Sequence, residues 1–282
     1  MEKLLANNNI KFLKKDYFQS NYFQNKFDSN SKIIEMKQAN DLTNIFLKQL
    51  NNLFKISCSI NEISNLHNKL DENLKVYDQK FGINEISNHF YDMPETFKNK
   101  YIELLKLQVR NVIGQDFYFQ NNSTLRVQAP HISSKSYYPY YHSDIQLGHP
   151  PYEINLWIPL NPPSSSEGYG FSISSLEDSI EIFKKYDFDI LKISENGRKS
   201  ISNHLNSISK LQNFDYGKAV LFDTRCLHSS QALKNHTRVS IDVRITPVNL
   251  FHKFNHHYQG TGRKTVIYKP GDGYNIKSID NL

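Results

Sequence analysis

Apolar residues in the first third of the chain recur mostly at three- and four-residue steps. Over 32–55, Ile33, Ile34, Met36, Leu42, Ile45, Phe46, Leu50 and Leu53 trace one side of a helix. The same spacing predicts a second helical stretch over about 61–76, opening near Ser59. A third follows over about 94–112, carrying Ile102, Leu104, Leu105, Leu107 and Val109. Met93-Pro94-Glu95-Thr96 is a credible start for it, because proline in a first turn gives up an N–H that has no helical partner anyway. Near Gly114 the period changes. Phe117-Tyr118-Phe119-Gln120 and Thr124-Leu125-Arg126-Val127-Gln128 read as strands, followed by short β-like runs over 153–160, 218–223 and 237–246, separated by Pro, Gly, Ser and Asn. The mixed segment 175–210 predicts a helix inserted between strands. No repeat period is visible.

Strict alternation sharpens two of these strands. In Arg238-Val239-Ser240-Ile241-Asp242-Val243-Arg244-Ile245, the apolar residues take one face and Arg238, Ser240, Asp242 and Arg244 the other. In Ile154-Asn155-Leu156-Trp157-Ile158, the Ile and Leu residues again share a face, opposite Asn155 and Trp157. Two readings fit: an exposed polar face over an ordinary core, or apolar faces packed on the amino-terminal helices with polar faces lining a reactive mouth. Many short strands with turn-rich joints suggest a sandwich or jelly roll.

The chain has 282 residues, enough for one large domain or two small ones. Its 17 Tyr and 18 Phe favour a substantial β portion. The net charge of +6 is scattered rather than clustered, which argues against a nucleic-acid surface while suiting small anionic ligands. Cys58 and Cys226 form neither a disulfide framework nor a four-cysteine zinc site. The first residues lack the apolar core of a signal peptide, and no run approaches the roughly 20 apolar residues of a membrane span. These features lead us to expect a reduced, soluble, cytoplasmic protein.

The candidate chemistry centres on His142-Ser143-Asp144. On an extended segment, positions i and i+2 point the same way, so an imidazole and a carboxylate can converge on one ion. Taken alone, the pair is weak among 11 His. His228 follows about 85 positions later, after the strand-like run 217–223, and Arg238-Val239-Ser240 begins ten positions beyond His228. Two imidazoles and a carboxylate would occupy one face of an iron(II) ion and leave three positions open. A 2-oxo acid can chelate two of these, and oxygen can take the last. The planar guanidinium of Arg238 suits the far carboxylate of such an acid, and the Ser240 hydroxyl can add a donor.

His142-x-Asp144, then His228, then Arg238-x-Ser240 resembles the signature of the Fe(II)/2-oxoglutarate-dependent oxygenases, with the phytanoyl-CoA dioxygenase-like branch as the nearest large grouping. Members linked to carbohydrate and aminoglycoside biosynthesis look similar through Tyr141-His142-Ser143-Asp144 and Asn155-Leu156-Trp157-Ile158-Pro159-Leu160. The resemblance covers roughly 124–246. It implies a mixed α and β fold, a double-stranded β-helix (jelly roll, cupin-like) with flanking amino-terminal helices. It also implies an Fe(II) cofactor, 2-oxoglutarate and O2 as cosubstrates, and succinate and CO2 as products. Because Asp144 fills the carboxylate position, it points to hydroxylation or another oxidation rather than halogenation. The expected layout is one oxygenase domain over 1–282: a helical layer over 1–115, the β core over 116–247 with its insert near 175–210, and an extension over 248–282. The expected substrate is a small polar metabolite, with a sugar or sugar derivative as the leaning. A cupin-like metal isomerase or epimerase, and an inactive ligand-binding barrel, are the rival readings.

Other residues weigh less. Asn155 is a candidate for reaching the bound 2-oxo acid. Arg126 and Gln128 suit either the ligand or a structural role. Asp223 and Arg225 either fix the His228 ring or simply build a turn, and Asp242 and Arg244 read as members of a mutual or cross-strand ion pair rather than catalytic groups. His131, His149, His204 and His236 read as surface or internally satisfied histidines. His252, His256 and His257 have no carboxylate or cysteine nearby in sequence. Gly260-Thr261-Gly262 and Gly271-Asp272-Gly273 mark turns in the extension rather than phosphate loops.

Overall fold

In a computed structural model of the chain, the described residues are 15–18, 21–70, 76–78, 83–91, 94–130, 141–147, 149–189, 192–193, 200–231, 233–254, 264–268 and 273–278. His131, His256, His257, Gly260-Thr261-Gly262 and Gly271-Asp272 lie outside them.

The strands in chain order are β1 (Ser31–Glu35), β2 (Val76–Asp78), β3 (Ile83–Asn84), β4 (Phe117–Gln120), β5 (Thr124–Gln128), β6 (Ile154–Pro159), β7 (Phe171–Ile173), β8 (Lys210–Leu211), β9 (Lys218–Asp223), β10 (His228–Ser230), β11 (Arg238–Pro247), β12 (Lys264–Tyr268) and β13 (Gly273–Ser278). An eight-stranded sheet runs β1-β9-β6-β11-β4-β13-β12, with β5 beside β4 along the same edge of β11. β11 is its axis, pairing with β6 on one side and with β5 and β4 in turn on the other. All these pairings are antiparallel except β13 with β4. A second, three-stranded antiparallel sheet runs β10-β7-β8, and β2 and β3 form a small separate pair.

The alternation of β11 and β6 decides which face meets the helices. Ile154, Leu156, Ile158, Val239, Ile241, Val243 and Ile245 join one core with Leu42, Phe46 and Leu50 of the helix Ala39–Phe54, and with Phe97, Tyr101 and Leu104 of the helix Glu95–Leu104. The opposite face turns towards the smaller sheet. Trp157, Val220 and Phe222 meet Tyr169, Phe171, Ile173 and Phe214 there, with Trp157 stacked on Phe171 at 4.9 Å between ring centroids. Of the two sequence readings, the helix-packed one holds. The polar residues of β11 are not a solvated face: Arg238 and Ser240 are each 1% exposed.

The two sheets do not close into a barrel among the described residues. The smaller sheet is built of two- and three-residue strands, too short to wrap the larger one, and residues 131–140 after β5 are outside the description. The expected closed jelly roll is therefore, at this level, two facing sheets with a helical layer outside the larger.

Several local expectations change. The helix over 32–55 is a strand followed by a helix. Ser31–Glu35 pairs with β9 as an edge strand, burying Ile34 and exposing Ile33, so adjacent isoleucines that fit a helical period instead serve period two. The predicted helix over 61–76 is a 3-10 helix, Ile60–Asn68, with a non-helical residue at Asn65. The third helix runs as expected but passes through a π-helical stretch, Leu105–Val109, before ending at Ile113. In the extension, β12 and β13 continue the large sheet beyond β4. Among its described residues the insert carries the helices Leu176–Lys185 and Ser202–Ile208. The first is capped by the Ser175 hydroxyl, which accepts from the Asp178 amide. No described helix is long and apolar enough to cross a membrane.

Candidate metal centre

His142 and His228 meet through the backbone. Each amide donates to the other's carbonyl, at 3.0 and 2.8 Å, an isolated antiparallel bridge that extends the smaller sheet beyond β10. This places the two rings 4.5 Å apart between centroids. Asp144 is not on an extended strand. It opens the short 3-10 turn Asp144–Leu147, its amide donating to the Thr224 carbonyl at 3.0 Å. The i, i+2 convergence predicted for a strand is thus achieved by a bridge followed by a turn, anchored to the 223–226 turn that leads into His228.

A ligand atom from each of His142, Asp144 and His228 lies within 4.8 Å of the others. The His228 Nδ1–H donates to the Cys226 carbonyl at 3.0 Å, which leaves Nε2 to face Asp144 Oδ1 at 3.8 Å. Burial pushes the His228 pKa down, against the pull of Asp144, so the ring is held neutral with a lone pair at Nε2. For Asp144, burial opposes the charge, but the Arg244 guanidinium outweighs it and holds the carboxyl well below the usual carboxylate range. The two carboxylate oxygens differ. Oδ2 accepts from Asn155 Nδ2 at 2.9 Å and from Arg244 Nη2 at 2.9 Å. Oδ1 is buried with no hydrogen-bond partner among the described residues. A buried anionic oxygen in that state needs a cation, and a neutral imidazole nitrogen faces it. The donor set of two imidazoles and one carboxylate fits a non-haem iron(II) ion.

The remaining candidates fall into two groups. Asn155 is a direct cross-strand partner of Arg244. Its Oδ1 accepts from Arg244 Nη1 at 3.0 Å while its Nδ2 holds Asp144, so it sits behind the carboxylate. Sequence reasoning had Arg244 in an ion pair but did not find Asp144 as its partner. The polar ladder of β11 reaches Arg244 visibly, yet only the register of β11 on β6 brings it to Asn155 and Asp144.

Arg238 lies at the start of the same ladder. Its guanidinium donates to the Tyr169 carbonyl, to Gln128 Oε1 and to the Ser230 hydroxyl, and stands 5.9 Å from the Trp157 ring. Ser240 is buried beside it, two residues along. Arg126 pairs with Asp242 across β5 and β11 at 2.7 Å.

Asp223 and Arg225 make none of their described hydrogen bonds to the His228 ring. They form a buried bidentate pair, at 2.9 and 2.6 Å, that builds the preceding turn. His149 is buried and bonded to Glu153 at 2.8 Å, and its amide donates to the Asp144 carbonyl. His236 bonds to Asn161 and to the Pro162 carbonyl, while His204 and His252 are exposed. A cleft of about 580 Å³ lined by Leu53, Phe54, Glu85 and His89 lies on the helical layer and includes none of the converging residues.

No protein-family model matches the chain, and no curated protein matches it in sequence. Solved structures do match. EctD from S. alaskensis with bound Fe aligns at 14% identity and a TM-score of 0.50, covering 92% of this chain and 85% of that one. SnoK, a non-heme alpha-ketoglutarate dependent carbocyclase from nogalamycin biosynthesis, aligns at 10% identity and a TM-score of 0.48, covering 94% and 97%. HygX from Streptomyces hygroscopicus with nickel and 2-oxoglutarate bound aligns at 13% and 0.48, covering 84% and 88%. The likeness to EctD is one of fold.

Proposed function

We propose that this chain, acting as one unit, is a non-haem Fe(II)/2-oxoglutarate-dependent oxygenase that oxidises a C–H bond of a small polar metabolite. The observation that carries the reading is the convergence of His142, Asp144 and His228, with the Asp144 Oδ1 buried and unpartnered between them. The fold shared with iron-bound EctD supports it, and so does the resemblance of the five-residue pattern to this class. The jelly-roll architecture belongs to the same proposal: two facing sheets with the metal residues at the end of the smaller one.

His142, His228 and Asp144 would hold the iron. Once bound there with 2-oxoglutarate and O2, the metal supplies C–H oxidation, with succinate and CO2 formed from the cosubstrate. The chain contributes position and environment. Cys226 fixes the tautomer and ring plane of His228. Burial keeps that ring neutral, so no proton must leave before it can bind a metal.

Arg238 and Ser240 are assigned to the far carboxylate of 2-oxoglutarate. Arg238 donates to the neutral oxygens of Tyr169, Gln128 and Ser230, with which a carboxylate competes through charge. The Trp157, Phe171 and Phe222 cluster packs the space between the sheets, with Phe222 against His228 at 4.9 Å, and excludes water from that side. For the substrate we favour a sugar or sugar derivative, on the resemblance to members linked to carbohydrate biosynthesis.

Purified protein supplied with Fe(II), ascorbate, O2 and 2-oxoglutarate is expected to form succinate, and the Asp144→Ala protein is expected to form none. Absence of succinate from the wild type, together with no charge-transfer band on anaerobic addition of 2-oxoglutarate, would reject the reaction class. Turnover of a fatty acyl or peptide substrate, with no sugar or nucleotide sugar oxidised, would reject the substrate class alone.

A further inference from the structure

We infer that Asn155 and Arg244 form a clamp on Asp144 that restricts its carboxylate to a single ligand atom, reserving a coordination position for the chelating 2-oxo acid. This rests on the proposed metal site and adds two positioning residues to it.

An aspartate carboxylate has two equivalent oxygens and can bind a cation through one or both. A site that must leave positions open for a chelating cosubstrate loses one if the carboxylate swings into two-point binding. Here the two oxygens are made inequivalent. Oδ2 takes two donors, Asn155 Nδ2 and Arg244 Nη2, each at 2.9 Å. Oδ1 takes none and faces His228 Nε2 at 3.8 Å.

The donors are themselves locked. Asn155 Oδ1 accepts from Arg244 Nη1 at 3.0 Å, closing a three-residue ring. Asn155 and Arg244 are directly opposed on paired strands, with Asn155 1% and Arg244 8% exposed. Rotating the carboxylate to offer both oxygens would strip two hydrogen bonds from Oδ2 and break the buried ion pair that it makes with Arg244. Breaking a buried charge pair is strongly unfavourable. Arg244 has a second effect. By drawing electron density towards Oδ2 it makes Asp144 a weaker donor, so the metal keeps more of its own affinity for an incoming carboxylate and keto oxygen.

The test uses Mn(II) as the probe, with the wild-type, Asn155→Ala, Arg244→Gln and Arg244→Lys proteins. The bound waters are counted from the broadening of the Mn(II) electron paramagnetic resonance lines in 17O-enriched water. The affinity of the Mn(II) protein for 2-oxoglutarate is measured alongside.

In Asn155→Ala and Arg244→Gln, Mn(II) should still bind, with one water fewer than in the wild type and 2-oxoglutarate affinity at least tenfold weaker. Arg244→Lys, which keeps the charge, should recover part of both. A merely structural lesion would reduce the fraction of protein that binds Mn(II) without changing the waters per bound ion.

If Arg244→Gln fails to fold, Asn155→Ala carries the test, because it shortens one buried side chain and leaves the Arg244–Asp144 pair in place. Wild-type water count and 2-oxoglutarate affinity in a folded Asn155→Ala protein would overturn the clamp while leaving the oxygenase reading intact. A wild-type protein that bound no Mn(II) would overturn both.

Discussion

At the residue scale, the site is asymmetric along one strand. Arg238, Ser240, Asp242 and Arg244 share a face of β11, yet they are committed differently: Arg244 to Asp144, Asp242 to Arg126, and Arg238 to neutral oxygens. Arg238 donates to a peptide carbonyl, an amide oxygen and a hydroxyl, and the carboxylate of a dicarboxylic acid competes with such neutral acceptors through its charge. Arg238→Ala is therefore expected to weaken 2-oxoglutarate binding by about 1.5–3 kcal/mol, on the order of 10- to 100-fold. Mn(II) affinity should stay within a few-fold of wild type, because none of the described hydrogen bonds of Arg238 runs to the three converging residues. Calorimetric titration of the Mn(II) protein measures both, and unchanged 2-oxoglutarate affinity would remove Arg238 from the site. The ladder was legible in the sequence because period two separates its faces without knowledge of any partner strand. The split of roles was not legible. Arg244 reaches Asp144 only through the β11–β6 register, and no single strand's pattern encodes that register.

At the element scale, short connectors decide where the site residues point. The sequence found β4, β5, β6, β9 and β11 nearly to their ends because each is bounded by turn residues and carries alternation or an apolar run. It misread 32–55 because Ile33 and Ile34 satisfy a helical period and an edge strand equally. What resolved the ambiguity was the edge of β9, whose paired residues lie 183 to 191 positions away. The pairing of His142 with Asp144 was drawn on an extended segment, whereas the chain uses a bridge and a 3-10 turn. Such local geometry depends on the 223–226 turn and is invisible in a three-residue motif.

Gly170, in the turn before β7, shows how tightly these connectors are built. Its φ is +61°, and a Cβ there would lie 2.8 Å from the Gln231 carbonyl and 2.8 Å from Leu233 Cδ2, with Arg238 Nη1 at 3.4 Å. Gly170→Ala combines a left-handed backbone penalty with a clash against main chain, for a loss of about 1–3 kcal/mol. The displacement falls on the residues that hold Arg238. Thermal denaturation should show the loss, and 2-oxoglutarate binding should weaken while Mn(II) binding does not. An alanine variant with wild-type stability would show that this turn relaxes freely.

At the scale of the whole molecule, the three converging residues depend on parts of the chain far from them in sequence. The turn that delivers His228 rests on the Asp223–Arg225 pair, each residue 2% exposed. That pair in turn holds the amino-terminal segment: Gln24 Nε2 donates to Asp223 Oδ2 at 3.0 Å, and Arg225 Nη1 donates to the Tyr17 carbonyl at 3.2 Å. The helical layer is thus fastened to the site turn as well as to the apolar face of the large sheet.

Removing one member of such a pair leaves a buried charge without compensation, so Asp223→Ala is expected to cost about 3–5 kcal/mol. A double replacement, Asp223→Leu with Arg225→Met, leaves no charge stranded and should cost much less. The polar ties to Gln24 and Tyr17 would still be lost in it, so full recovery is not expected. Urea denaturation of the three proteins gives the comparison directly. If the single variant lost less than about 1 kcal/mol, as an exposed pair would, water would have to reach this turn. The amino-terminal segment would then not be fastened to the metal centre through it.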